Sequence, residues 1–453
     1  MNMAVNQTRT QTEQKICQFV ELTLGGQVTH IERLPRWRPA WNLDLQSGEE
    51  LLKLHIRGER GGDVNPFPEL RREADILEVL GKHGIPVPHI YGFCEDPQAI
   101  VMEAVPGTRD VSTANDDTQR LELARQYVEA MAAMHKLPVG PFVEKGIHLP
   151  TSPEDIALAG LDAYYPLYER NKTRPQPLLE FALKWLRRNV PQHRTKASLV
   201  QYDSGQYLFK DGKLNALYDF EFAMIGDPLA DLASARMREN YEPLGCKFSE
   251  LYRYYQEVSG EPLEPDVIRF HTVLFSTVSA MQFSSTVATP KPGDPHDTYV
   301  EFDIALRRVV VHALSESMGI PIPRPSIDIH TQGPNAPLIS MLADAVEQVE
   351  TTETFQKTKL NAVRKIVEYL GKADAMTLHL QAQDQKETEH LLGQKFETPE
   401  ALDEALETFV KQAGPEEDHA LFQLFASQIE RQVQVFGKTA IGASASHIDL
   451  PEI

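Results

Sequence analysis

Cysteine is scarce in this chain: Cys17, Cys94 and Cys246 are the only three in 453 residues. They lie far apart and form no CxxC pair, which argues against a disulfide framework or a thiolate metal site and for free thiols in a reducing compartment. Positive charge is also short. There are 45 Lys and Arg against 65 Asp and Glu, a formal net charge of −20. A general nucleic-acid or anionic-membrane binder needs the opposite balance, because it neutralises phosphates over a wide surface. One local pocket for a small polyphosphate remains compatible with an acidic protein. No run approaches the roughly 18 consecutive apolar residues of a membrane helix. The polar start, MNMAVNQTRTQTE, has no apolar core of a secretory signal. Residues 1–13 are therefore expected to be disordered and the chain cytoplasmic, with neither nucleic acid nor membrane as partner. GxxxxGK[ST] and HExxH are absent too, so P-loop and HExxH zinc chemistry find no support.

What is present is ordinary globular material, 42% hydrophobic and 24% charged, and a chain of this length implies two or three compact units. Apolar periodicity predicts a helix over residues 14–24, then strands over 28–34, 41–45 and 50–56. Glycines make 58–63 (GERGGD) a flexible loop. A helix over 69–82 is stopped by Gly84, Pro86 and Pro88, and strands follow over 89–94 and 99–104. The pattern then turns helical, which sets a lobe boundary near 105: an N-lobe over 14–105 and a C-lobe over 106–319. Residues 320–335 carry four prolines and read as a linker. Residues 336–453 read as a helical module of five helices, over 336–349, 358–370, 373–392, 399–411 and 417–436.

The informative segment is SLVQYDSGQYLFKDGKLNALYDFEFAMIGDPLADLASA, residues 198–235. An apolar run leads to Asp203 and a short polar turn. A strand runs into a Lys-Asp-Gly turn, and a second strand delivers Asp219. Such a hairpin places two carboxylates at corresponding ends of its strands. Phosphoryl transfer needs this pairing, one carboxylate to orient an acceptor hydroxyl and take its proton, another to hold Mg²⁺ against the phosphates. The amide oxygen of Gln206 is placed to complete the metal shell.

QYDSGQ, LYDFE and GDPLADLA in this order resemble the aminoglycoside phosphotransferases and choline kinases, distant relatives of protein kinases, and most nearly their uncharacterised bacterial branch. The resemblance covers about residues 20–315. It implies an α+β, two-lobed kinase-like fold with a small β-rich N-lobe, a mainly helical C-lobe and, here, an extra C-terminal module. It implies ATP and Mg²⁺ as cofactors and a hydroxyl of a small molecule as acceptor. By the same resemblance Asp203 is the catalytic base, Gln206 and Asp219 are the metal ligands, and Asp231 braces the catalytic loop. Lys53 is the phosphate-binding cation with Glu73 as its ion-pair partner, and backbone groups of Met102 and Ala104 meet adenine.

The sequence departs from the family pattern at Gln201, where a His is usual, at Gln206, where an Asn is usual, and in a catalytic loop two residues shorter. The glycine-rich loop is replaced by Pro35-Arg36-Trp37-Arg38-Pro39. Its arginines are expected to be exposed, with a phosphate-facing role as the alternative. These departures keep open a non-catalytic nucleotide-binding pseudokinase or scaffold. The GDP turn at 226–228 reads as structural. The tail's apolar positions, among them Leu338, Met341, Leu342, Ala345 and Val349, are expected to bury. The module should then pack on the C-lobe or on a second copy of the chain, a homodimer, and shape the acceptor side of the cleft.

Overall fold

Alternation of apolar and polar residues builds the first layer. The protein is described by a computed structural model over residues 9–36, 38–60 and 68–453. Helix α1 (Gln11–Leu24) leads into β1 (Gln27–Arg33), β2 (Ala40–Ser47) and β3 (Glu50–Gly58). After α2 (Leu70–Lys82) come β4 (Ile90–Glu95) and β5 (Gln98–Glu103). The five strands form one antiparallel sheet in the order β1-β2-β3-β5-β4. Leu43, Leu45, Leu54 and Ile56 pack with Ile16 and Val20 of α1 on one face. On the other, Leu70 and Ala74 of α2 meet Ile100 and Met102. Because Leu54 and Ile56 turn to the α1 face, Lys53, His55 and Arg57 share the opposite one.

Of residues 1–13, expected to be disordered, those from 9 onward are described and 11–13 are helical. Thr10 begins α1 with a capping box: its hydroxyl accepts the Glu13 N–H at 3.2 Å, and the Glu13 carboxylate accepts the Thr10 N–H at 2.8 Å. Residues 1–8 lie outside the described residues, as does 61–63 of the expected glycine loop. Residue 58 of that loop is the last of β3, paired with Ala99.

The C-lobe comprises α3 (Asp117–His135), α4 (Gly140–Glu144), α5 (Pro153–Asn171), α6 (Pro177–Arg188), the strands β6 (Ser198–Val200), β7 (Tyr207–Lys210), β8 (Lys213–Leu217) and β9 (Met224–Gly226), then α7 (Leu229–Arg238), α8 (Phe248–Ser259), α9 (Pro265–Ala288) and α10 (His296–Met318). The expected hairpin is β7–β8, and β6 pairs with β9 beneath it. Asp203 precedes the hairpin and Asp219 follows it, so both stand at its open end.

The tail holds α11 (Ala336–Glu347), α12 (Thr354–Leu392), α13 (Pro399–Gln412) and α14 (Asp418–Phe436). Two of the five expected helices are one: α12 runs unbroken through Gly371. A glycine inside a helix costs about 1 kcal/mol, and here it sits where α11 crosses closely, 3.4 Å from Ile339 Cγ2 to a Cβ built at that position. The tail shares a single apolar core with the C-lobe. Phe181 of α6 lies 5.7 Å from Phe425 of α14, and Arg308 of α10 pairs with Glu430 at 2.8 Å. Residues 320–335 are an extended strap. Ile320, Ile322 and Ile327 pack into that core, and Gln434 Nε2 donates to the Pro325 carbonyl at 2.7 Å. The burial expected of Leu338, Met341, Leu342 and Ala345 in α11, and of Val349 just past its end, fails: all five are exposed, and Val346 is the buried residue of the helix. The helix is apolar on more faces than α12 can cover. Among the described residues no helix is long and apolar enough to cross a membrane.

Candidate active site

The loop that carries Asp203 hangs from one buried carboxylate. Asp231, in the first turn of α7, accepts the N–H of Gln201 at 3.0 Å and of Tyr202 at 2.7 Å, and lies 2.8 Å from His135 Nε2. These bonds hold Tyr202 at a φ of 67°, a left-handed conformation that a bulky side chain adopts only when its surroundings impose it. Gln201 does the organising expected of a His. Its Nε2 donates to the Tyr218 carbonyl at 2.7 Å and its Oε1 accepts from the Tyr127 hydroxyl at 3.2 Å, while that hydroxyl takes the Gly205 N–H at 2.6 Å. Asp227 of the GDP turn is structural, gripped by Arg194 at 2.7 and 2.8 Å and accepting the Leu229 N–H at 2.9 Å.

Asp203 emerges from this loop into the cleft. Arg238 of α7 donates to one of its oxygens at 2.8 Å and Gln206 Nε2 to the other at 2.9 Å. Burial raises the Asp203 carboxyl to about 7, against the opposing pull of Arg238 and with help from the negative charges of Asp219 and Glu221. That is the range in which a carboxylate works as a base near neutral pH. Because the Gln206 N–H faces an acceptor, its amide oxygen points away and is available to a cation.

Asp219 follows β8 at a φ of 64°, which Asp tolerates through its short polar side chain. Burial disfavours its charge, but Arg57, Arg60, Arg238 and Arg36 outweigh that and hold it below the usual carboxylate range. Two residues on, Glu221 accepts from Arg38 at 2.7 Å and from Arg60 at 2.7 and 2.8 Å. Asp219 and the Gln206 oxygen form an all-oxygen donor pair that suits Mg²⁺, which usually takes one or two protein ligands and completes its shell from water and phosphate. Among the described residues no group of three or more His, Cys, Asp or Glu could hold a metal.

The N-lobe wall corrects one expectation. Glu73 of α2 is buried, but its partner is Arg57, with Nε to Oε2 at 2.9 Å, and not Lys53. Arg38 adds a contact at 3.4 Å, and the Phe220 N–H donates to the other Glu73 oxygen at 3.2 Å. Arg57 also bonds Asp219. Burial draws the Arg57 guanidinium down, but Asp219, Glu73 and Glu221 push it well above its ordinary value. Lys53 is exposed on the same face of β3 and makes no ion pair among the described residues. Four residues of strand separate the two, roughly 13 Å. Lys53 stands at the hinge end, where its carbonyl accepts the Ala104 N–H at 3.1 Å, whereas Arg57 stands at the carboxylate end. The Ala104 N–H is thus committed within the sheet. Arg38 is buried, against the expectation of an exposed loop arginine, whereas Arg36 is exposed and has no ion pair among the described residues.

Two cavities meet at this point. One, of about 660 Å³, lies between the lobes and is lined by Lys53, Arg57, Glu73, Met102, Ala104 and Asp219, among others. The other, of about 830 Å³, opens on the C-lobe side over Asp203, Gln206, Asp219 and Glu221, and its far wall is α12 of the tail. Asp219, Arg36 and Arg109 line both. The sequence reading missed Arg57, Arg60, Glu221 and Arg238. The first was within reach, since Lys53, His55 and Arg57 alternate on one strand face, and an expected strand ending at residue 56 stopped one short of it.

The phosphotransferase enzyme family matches residues 47–266. The chain is 41% identical over 75 residues to the aminoglycoside 3'-phosphotransferase of Streptomyces fradiae, covering 16% of this chain and 27% of that protein. It is 25% identical over 198 residues to acyl-CoA dehydrogenase family member 10 of Mus musculus, covering 40% of this chain and 18% of that one. The chain thus spans about a quarter or less of these relatives' length. A Ralstonia eutropha protein provisionally named an aminoglycoside phosphotransferase superposes with a TM-score of 0.52 at 17% identity, over 68% of this chain and 98% of that one, and shares its fold. Over residues 47–266 the chain thus carries the sequence pattern of the phosphotransferase enzyme family.

Proposed function

We propose that this chain is an ATP- and Mg²⁺-dependent kinase that moves the γ-phosphate to a hydroxyl of a small molecule. The observation that carries the reading is the meeting of two cavities at Asp219, with Asp203 in the wall of the outer one. A nucleotide in the inner cavity would present its terminal phosphate at the junction, and an acceptor in the outer cavity would present its hydroxyl to Asp203. Met102 and Ala104 line the adenine end through the hinge. Arg57, paired with Glu73, takes the phosphate-binding role assigned to Lys53, and Arg36 supplies a second cation in place of a glycine-rich loop.

Asp203 orients the hydroxyl and accepts its proton as the oxygen attacks, and Arg238 keeps that carboxylate aimed. Mg²⁺, held by Asp219 and the Gln206 amide oxygen, would neutralise charge on the phosphates. Arg57 bonds Asp219, and with a divalent cation on that carboxylate the guanidinium would be free to turn toward the phosphates. The same ion pair favours a second reading, a nucleotide-binding pseudokinase in which Arg57 substitutes for the metal.

Screening a library of hydroxylated metabolites for ATP consumption, with wild type beside Asp203→Asn, tests the proposal. Turnover with at least one acceptor, lost in the variant, is expected. Nucleotide binding without any Asp203-dependent turnover supports the scaffold instead.

A further inference from the structure

The outer cavity has a charge pattern of its own. Its floor is apolar: Phe275 and Phe283 of α9, and Phe302 and Leu306 of α10, with Phe283 and Phe302 rings 5.1 Å apart. Its carboxylates away from the reacting groups are engaged. Glu242 is ion-paired with Arg238 and Arg109. Asp297 lies 3.9 Å from Lys365, and Asp294 accepts the Lys291 N–H at 3.0 Å. The cations at the mouth are another matter. Phe355, in the first turn of α12, carries Lys359 Nζ 4.8 Å from its ring centre and Arg33 of β1 at 5.6 Å. Neither cation has a carboxylate within ion-pair distance among the described residues. Arg33 is fixed in place by donating to the Leu34 and Ala40 carbonyls at 2.6 and 3.2 Å. One comes from the N-lobe and the other from the tail, so the rim exists only because the C-terminal module crosses the cleft.

We propose that the acceptor is an alcohol whose far end is anionic and whose middle is apolar, its anion held between Arg33 and Lys359 while its hydroxyl reaches Asp203. This deepens the kinase reading and rests on it. A polycationic acceptor would meet two cations without ion pairs at the entrance, and behind them Glu242 and Asp297 already facing cations of the protein. A charged pair at a cavity mouth discriminates by sign even where it adds little to total affinity. Carboxylate and phosphate would both satisfy the rim.

The test measures binding, so it does not depend on knowing the acceptor. Octanoate, octyl phosphate, octan-1-ol and octylammonium are titrated calorimetrically into the full-length wild type and into Lys359→Glu. Lys359 is exposed, so the variant should fold. At least one anion should bind about tenfold more tightly than octylammonium, and the charge reversal should erase most of that difference. The tighter of the two anions identifies the group recognised. Octylammonium binding as well as both anions, or a preference untouched by Lys359→Glu, would overturn the proposal. If the anion preference holds while no acceptor shows Asp203-dependent ATP turnover, the kinase reading fails and the anion site stands.

Discussion

On the C-lobe wall of the cleft, Asp203 stands on a loop fixed by hydrogen bonds from Gln201 and Tyr202 to the fully buried Asp231. On the N-lobe wall, Arg38, Arg57 and Arg60 are held by ion pairs to Glu73, Asp219 and Glu221, and two of those carboxylates belong to the opposite lobe. One wall is thus stitched locally through backbone N–H groups, and the other by long charged side chains that reach across the cleft. The first arrangement is closed within its own lobe by buried hydrogen bonds. The second contains the groups a cation and a polyphosphate would rearrange.

The largest effect that separates the walls concerns the module that supports one of them. Removing residues 336–453 strips Phe181 and the rest of the shared core of its cover, so residues 1–335 expressed alone should be insoluble or molten. A soluble, cooperatively unfolding product would show that the C-lobe does not need the tail. Next, Asp231→Ala leaves the Gln201 and Tyr202 N–H groups buried without an acceptor. At about 1–3 kcal/mol for each unsatisfied donor, the thermal midpoint should fall sharply, and nucleotide present in excess should not rescue it. An unchanged midpoint would contradict the idea that one carboxylate carries the loop.

On the arginine wall the sharper comparison is between two residues of one strand. Arg57→Gln should raise the KM for ATP about tenfold or more, the worth of a charge-assisted hydrogen bond, whereas Lys53→Gln should change it by less than about threefold because an exposed cation is screened. Equal effects would return Lys53 to the role that the family pattern first assigned it.

The smallest expected effect is a pH shift. With the Asp203 carboxyl at about 7, kcat/KM should climb with pH and level off above neutrality, because the base works only when ionised. Arg238→Gln removes the cation that opposes the shift, so the midpoint should move upward, and a midpoint that stayed put would remove Arg238 from the account. Stability carries the opposite sign. A folded carboxyl raised above its ordinary value binds the extra proton in the native state, so this residue's contribution falls as pH rises from about 4 to about 7.

The same contrast explains what was legible in the sequence. The carboxylates of the C-lobe wall lie in residues 198–235, where Asp203, Gln206, Asp219 and Asp231 keep their spacing whatever surrounds them. Gln201 could be seen there as a substitute for His because its backbone position was fixed. The N-lobe wall is assembled from residues as distant as Arg38 and Glu221, and pairing across that separation leaves no local trace. The family habit of a Lys in this strand points to Lys53, and a strand expected to end at residue 56 leaves Arg57 out of view. The tail was readable as helices but not in its contacts. Helical spacing marked Leu338 and Met341 as core, yet nothing in the spacing told which of the apolar faces of α11 would meet α12.

The most direct test of the account is ³¹P NMR of the full-length protein with Mg²⁺, ATP and an active acceptor, run beside Asp203→Asn. The account predicts loss of the γ-phosphate signal with matching growth of ADP and of a phosphomonoester, slowed by at least about 10²-fold in the variant. ADP with inorganic phosphate alone, or transfer that persists at the wild-type rate in Asp203→Asn, would contradict it.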